Sequence, residues 1–188
     1  MYKLSVCAFC VLLITVTVAM PQSPQYKIGR PATPEEIHRR DITVFPDGTG
    51  LPAGSGTVEE GQRKYLALCA NCHGDRGEGV VEYPSLVGGG DTLRSKNPVL
   101  TVGSYWPYAT TVWDYIHRAM PYQRPGTLSI EETYALTAFI LYMNGIVDKK
   151  ATLNEKTLPQ VKMPNRDGFI ADPRPDVPRR KPNTGAPN

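Results

Sequence analysis

Apolar positions recur at helical spacing in a few stretches of the chain, and nowhere do they alternate well enough to define a strand. Thr57-Val58-Glu59-Glu60 has the form of a capping box, in which a Thr hydroxyl and a Glu carboxylate each satisfy a free backbone N–H at a helix start. Val58, Tyr65, Leu66, Leu68 and Cys69 then make a stripe, and the spacing predicts a helix running to Asn71. Residues 110–120 are predicted as a short second helix with Val112, Ile116 and Ala119 on one face. Ser129-Ile130-Glu131-Glu132 is another capping box, opening a helix to Asn144 that Gly145 ends. A minor helix is predicted over residues 32–40, begun by Thr33-Pro34-Glu35-Glu36.

The last helix is unusual. From Tyr134 to Met143 only Thr137 is polar, so the helix has no polar face and must be covered on several sides. It is too short to span a bilayer. A helical body of about 90 residues has little of its own to cover it, given typical domain sizes. The expectation is that a large cofactor or a partner protein supplies surface. Without that, or without the flanking arms, its Tyr and Leu positions would form an exposed patch.

Composition sets the frame around these helices. The chain has 188 residues, 40% hydrophobic and 21% charged, enough for one domain with extensions. Its 18 Pro and 17 Gly concentrate in long irregular stretches. Residues 20–56 read as an extended arm, 74–105 as Gly-rich loops, and 148–188 as a polar, Pro-rich tail. The domain proper is expected over residues 57–147, all-α. The net charge of +3 is too weak to indicate nucleic acid. It is unevenly spread: residues 147–188 hold nine Lys/Arg against five Asp/Glu, while 20–146 hold eleven against thirteen. A basic arm beside an acidic body suits wrapping or steering of a partner; a merely solvated tail is the alternative.

At the N-terminus, Lys3 precedes an apolar run from Leu4 to Met20, followed by a polar, Pro-rich segment. This is the pattern of a secretory signal, residues 1–19, with Ala19 as the best cleavage point; an uncleaved anchor is the rival. Cleavage would remove Cys7 and Cys10 and leave a periplasmic protein with no stable membrane span. Only Cys69 and Cys72 would then remain.

Those two cysteines stand in Cys69-Ala70-Asn71-Cys72-His73, a C-x-x-C-H sequence at the end of a predicted helix. Thiols one helical turn apart can add to the two vinyl groups of haem, and the adjacent imidazole then lies under the iron. A structural zinc site would want four ligands, and the mature chain offers no second pair or His cluster. A thioredoxin-like pair would want a strand–helix unit around it. One covalent haem c is therefore expected. His73 should donate its other ring N–H to an acceptor, for which the Pro84 carbonyl is the candidate.

The second axial ligand must come from Met120, Met143, Met163, His38 or His117. Met143 lies within the apolar helix and suits core filling. Met120 and Met163 each precede a proline, and Met163 lies in the tail. Met120 closes the second helix just before the turn leading to the last one, which favours it over its neighbour His117. Six aromatics fall within residues 105–122, among them Trp106 and Tyr108, candidates for hydrogen bonds to haem propionates or for plain packing.

CANCHG, a Pro eleven residues after the His, the Met-Pro pair and the capped last helix together resemble a class I cytochrome c. PDGTGLPAGSGTVEEG, TVGSYWPYATTVWDYIHRAMP, LSIEETYALTAFILYMNGIV and VKMPNRDGFIADPRPD are similar to the cytochrome subunits of sulfite dehydrogenase and the related sulfane dehydrogenase of bacterial sulfur oxidation. The resemblance implies thioether attachment at Cys69 and Cys72, His73 as proximal ligand and Met120 as distal ligand. It also implies electron transfer from a molybdopterin subunit that oxidises the sulfur substrate, and onward transfer to another cytochrome or an oxidase. A free-standing carrier, and a haem enzyme with a displaceable distal ligand, are the alternative functions.

Overall fold

A computed structural model describes residues 28–170, 172 and 174–176. The expected signal segment, with Cys7 and Cys10, lies outside them, as does the end of the tail. The chain divides after Asp41 into two units. In the first, helix α1 (Pro34–Arg40) is capped by Thr33 and Glu36 as the sequence suggests, and Arg30 grips the Glu36 carboxylate with two hydrogen bonds of 2.6 and 2.8 Å.

The second unit contains β1 (Ser55–Thr57), α2 (Val58–Leu68), α3 (Ala70–His73), α4 (Ala109–Ala119), α5 (Ile130–Met143), β2 (Thr152–Asn154) and a 3-10 turn at Leu158–Gln160. Both expected capping boxes form: Thr57 with Glu60 at α2, and Ser129 with Glu132 at α5. Lys64 on α2 pairs with Glu132, tying one capping carboxylate to the neighbouring helix.

Helices α2 and α5 cross at glycine. A Cβ at Gly61 would strike the Ala135 carbonyl, and one at Gly56 would strike the Ala135 backbone nitrogen, so only glycine lets these backbones come this close. Tyr65, 0% exposed, packs its ring on Phe139 across the same crossing. Helix α4 packs on α5 through Trp113, whose ring lies 5.3 Å from that of Tyr134.

The structure corrects three expectations. A two-stranded antiparallel ladder is present, pairing Ser55 with Asn154, Gly56 with Leu153 and Thr57 with Thr152. Three residues per strand are too few to show alternation in a sequence. Second, no apolar patch is left on α5. Residues 133–141 are all buried, beneath α2, α4, β1 and β2, so the chain's own helices and flanking arms cover this helix without a partner protein. The Tyr134 hydroxyl donates to the Pro52 carbonyl at 2.9 Å, and Thr133 and Thr137 donate back to Ser129 and Thr133 carbonyls within the helix, so this burial leaves their hydroxyls satisfied.

Third, the segment after Val147 is not loose where it is described. Leu153, Leu158 and Met163 are core residues. Beyond Met163, the Asn165 amide donates to the Tyr105 carbonyl at 2.8 Å and Phe169 meets the Tyr105 ring edge-on at 5.1 Å. Among the described residues no helix is long and apolar enough to cross a membrane.

Candidate functional site

Helix α2 ends three residues earlier than its apolar stripe suggests. Cys69, at φ −118°, leaves the helical path, and residues 70–73 form a separate turn, α3. That turn is held to the break by Cys72 N–H and His73 N–H, both donating to the Cys69 carbonyl at 3.1 and 2.9 Å. Gly74, at φ +78°, then reverses the chain, a conformation glycine adopts without penalty. Its carbonyl accepts from the Tyr65 hydroxyl at 2.9 Å and its N–H donates to the Ala70 carbonyl at 2.8 Å.

The loop that follows returns under the imidazole. Gly79 N–H donates to the His73 carbonyl at 2.7 Å, and a bridge between Val80 and Tyr83 turns the chain so that Pro84 comes back. His73 Nδ1 lies 3.0 Å from the Pro84 carbonyl oxygen. A carbonyl can only accept, so Nδ1 carries the proton and Nε2 keeps its lone pair for a metal. The backbone acceptor also fixes the ring plane and raises its basicity, as second partners of metal-bound histidines do.

Both thiols of the motif are free. Burial, with Cys72 nearby, pushes the Cys69 thiol up to about 11. A redox dithiol needs the opposite, a nucleophilic cysteine whose thiolate is stabilised. Among the described residues no group of three or more His, Cys, Asp or Glu stands together as a metal site would require. Two cysteines and a histidine with a free Nε2 on one turn suit covalent attachment of a macrocycle whose metal needs one nitrogen.

Met120 caps α4 in extended conformation, its N–H donating to the Ile116 carbonyl at 3.0 Å. Its half-buried side chain borders the same hydrophobic cluster as Cys69, Leu68, Leu86 and Trp106. Met143 also borders that cluster, Met163 is buried within it at 3% exposure, and His38 lies in the separate first unit. Trp106 stands edge-on to Tyr115 with centroids 5.6 Å apart, and Tyr108 carries the Arg166 guanidinium 4.5 Å above its ring.

Of the six aromatics in residues 105–122, the structure singles out Trp113 rather than Trp106 or Tyr108. The Trp113 indole is 1% exposed, it stacks on His117 at 4.8 Å, and Trp113 Nε1 and His117 Nδ1 are both buried with no hydrogen-bond partner among the described residues. Burial also holds His117 below its ordinary range, which favours the neutral ring. The Trp113 indole N–H can only donate, and His117 Nδ1 donates in one of its two neutral tautomers, so this helix face can serve an acceptor from outside the polypeptide. Haem brings two propionate carboxylates, and the donor set therefore fits it. The i, i+4 spacing of an aromatic and a histidine was the available sequence signal.

A family description, cytochrome c, matches residues 58–144. Comparison with curated proteins gives no significant match. Among solved structures, one similar chain is from the crystal structure of the sulfane dehydrogenase SoxCD from Paracoccus pantotrophus. It is 44% identical, the alignment covers 87% of this chain and 82% of that one, and the TM-score is 0.73. The break after α2, the imidazole held by a backbone carbonyl and the crossing of α2 with α5 thus belong to a fold built around covalent haem c, and the chain is a member of the cytochrome c family, an electron-transfer protein.

Proposed function

We propose that this protein is the exported, monohaem electron-transfer subunit of a sulfane- or sulfite-oxidising dehydrogenase, receiving electrons from a molybdopterin subunit and delivering them to another cytochrome or an oxidase. The similarity to a sulfane dehydrogenase along most of both chains supports the partner class. The basic start and apolar run before Pro21 support export. The observation that carries the ligand assignment is the 3.0 Å contact of His73 Nδ1 with the Pro84 carbonyl.

Cys69 and Cys72 would hold the haem through thioethers, His73 would offer Nε2 to its iron, and Met120, at the end of α4, would offer its thioether as the second ligand. When bound, haem c supplies a one-electron couple at its iron, and thioether ligation raises its potential. Trp113 would donate to a propionate oxygen, and His117 would do the same in its Nδ1–H tautomer, which would give both buried nitrogens a partner. Trp106, packed on Tyr115 at the edge of the core cluster, and Tyr108, beneath the Arg166 guanidinium, remain candidates for propionate contacts. No residue set here performs oxo transfer, so the chemistry on sulfur belongs to the partner.

Mature protein made with a working maturation system should keep its haem through acid-acetone extraction, and a mass equal to the bare polypeptide would refute the attachment. The native protein should co-purify with a molybdoprotein and be reduced by it when the sulfur substrate is added. Truncation after residue 170 keeps Met163 in the core and removes only the basic end. It should leave the haem spectrum unchanged and weaken the complex. Unaltered binding would make that end a solvated extension, and no molybdoprotein partner at all would leave a free carrier.

A further inference from the structure

We infer that the Tyr65 hydroxyl is a positioning residue for the axial imidazole of His73, acting through the Gly74–Pro84 loop. This rests on the reading of His73 as the haem ligand. Tyr65 sits on α2, one turn before Cys69, and is 0% exposed. Its ring packs on Phe139, 5.3 Å away, which any aromatic could do. The hydroxyl does something more: it crosses the break between α2 and α3 and donates to the Gly74 carbonyl at 2.9 Å.

Gly74 follows His73 directly and starts the loop that ends at Pro84. Its carbonyl also accepts from Gly77 N–H at 3.2 Å, and Gly77 in turn accepts from Leu86 N–H at 2.7 Å. Gly79 bonds the His73 carbonyl and lies so close to the Pro84 and Ser85 backbone that a Cβ there would crowd it. Residues 74–86 are thus one hydrogen-bonded unit whose entry is set by the Gly74 peptide and whose exit carries the acceptor for His73 Nδ1. The phenol fixes that entry from helix α2. Burial, the largest cause, holds this phenol above its ordinary range, so it remains a donor.

Losing the hydroxyl removes the tether from α2 to the Gly74 carbonyl, which is left with Gly77 N–H alone, and keeps the ring packing intact. The loop then relaxes, the Nδ1–H···O=C contact lengthens or rotates, and the imidazole plane follows. Imidazole orientation and basicity are read directly by the haem, whereas simple packing at the α2–α5 crossing is not.

The experiment uses oxidised holoprotein and compares wild type, Tyr65→Phe and Phe139→Leu by proton NMR of the haem methyls, by EPR and by potentiometry. Phe139→Leu loosens the same crossing without touching the hydroxyl. Tyr65→Phe should change the spread of the haem methyl shifts and the largest g value, and speed exchange of the His73 Nδ1 proton several-fold. Phe139→Leu should lower thermal stability and leave those signals in place. Unchanged methyl shifts, g values and exchange in Tyr65→Phe would overturn the inference, whatever happens to stability. Equal changes in both variants would overturn it too, reducing Tyr65 to a packing residue. If wild-type spectra lack the signature of an axial histidine, the ligand assignment itself fails, which is a different outcome from an unresponsive Tyr65→Phe.

Discussion

Met163→Ala tests whether the C-terminal segment is part of the folded body or merely laid beside it. Met163 is 3% exposed and lies in the core cluster with Leu158 and Leu153, although its flanking residues Lys162 and Pro164 are exposed. Burying a Met side chain fully contributes about 1.5–3 kcal/mol. Truncation to Ala in a rigid core costs roughly 2–5 kcal/mol, the upper part coming from unfilled cavity. Residues 161–169 are irregular rather than helical and can partly close the space, so the expected loss is about 2–3 kcal/mol. For a body of this size that corresponds to roughly 7–12 °C in Tm. The assay is thermal and urea unfolding of the holoprotein, followed together by far-UV circular dichroism and by the sulfur-to-iron charge-transfer band of the oxidised form. The folded variant should keep that band, because the proposed site takes its thioether from Met120 and not from Met163. Met163→Leu, which conserves volume, should cost less than about 1.5 kcal/mol. A loss below about 0.5 kcal/mol, typical of an exposed position, would refute the packing of this segment. Loss of the band would refute the ligand assignment, because it would place the sulfur of Met163 on the iron.

Three further outcomes follow from the same structure. Met120→Ala should abolish the charge-transfer band and lower the reduction potential while the protein stays folded; a retained band would exclude Met120 as ligand. Gly61→Ala should destabilise by about 2–3 kcal/mol through overpacking against Ala135, even though alanine is the better helix former by about 1 kcal/mol; a neutral or stabilising result in urea unfolding would show that α2 and α5 do not approach as described. The Lys64 partner and the Ser129 N–H hold the Glu132 carboxyl below its ordinary 4.5. Its contribution is therefore present above that value and fades as pH falls through the depressed folded value. Glu132→Gln should be less stable than wild type at pH 7 and equal to it at the acid end; a gap that persists or widens in acid would reverse the sign.

The legible parts of this protein were those set by neighbours in sequence. The capping boxes at Thr57 and Ser129 need only four residues each, and both form. The attachment turn is five residues long, and the Pro84 acceptor lies eleven residues on, within one loop. What escaped was set by distant partners. Residues 55–57 have no strand character by themselves and become a strand because residues 152–154 lie opposite. Met163 stands in a polar, Pro-rich context, and average composition hides a single anchoring side chain. The apolar surround of α5 was recognised, but arms without periodicity do not show in sequence which of their residues cover it, so a cofactor or a partner stood beside them as candidates. The arms pack irregularly, with Pro52 and Leu153 reaching α5 through one carbonyl and one side chain. Trp113 was one of six aromatics in residues 105–122, and only three dimensions single it out as the one whose buried nitrogen lacks a partner.

The short ladder between β1 and β2 also imposes an order of events. Its two strands are separated by about 100 residues, and closing a loop of that length costs roughly 4 kcal/mol of chain entropy. Three residue pairs return little against that cost, so the ladder cannot nucleate the fold. It can close only after α2 and α5 have met and brought the two ends together. During synthesis Asn154 emerges long after the Cys69–His73 turn, and until then the underside of α5 lacks the cover that β2 provides. The attachment turn is therefore complete and reachable while the body is still open, and the ladder is the latch that shuts last.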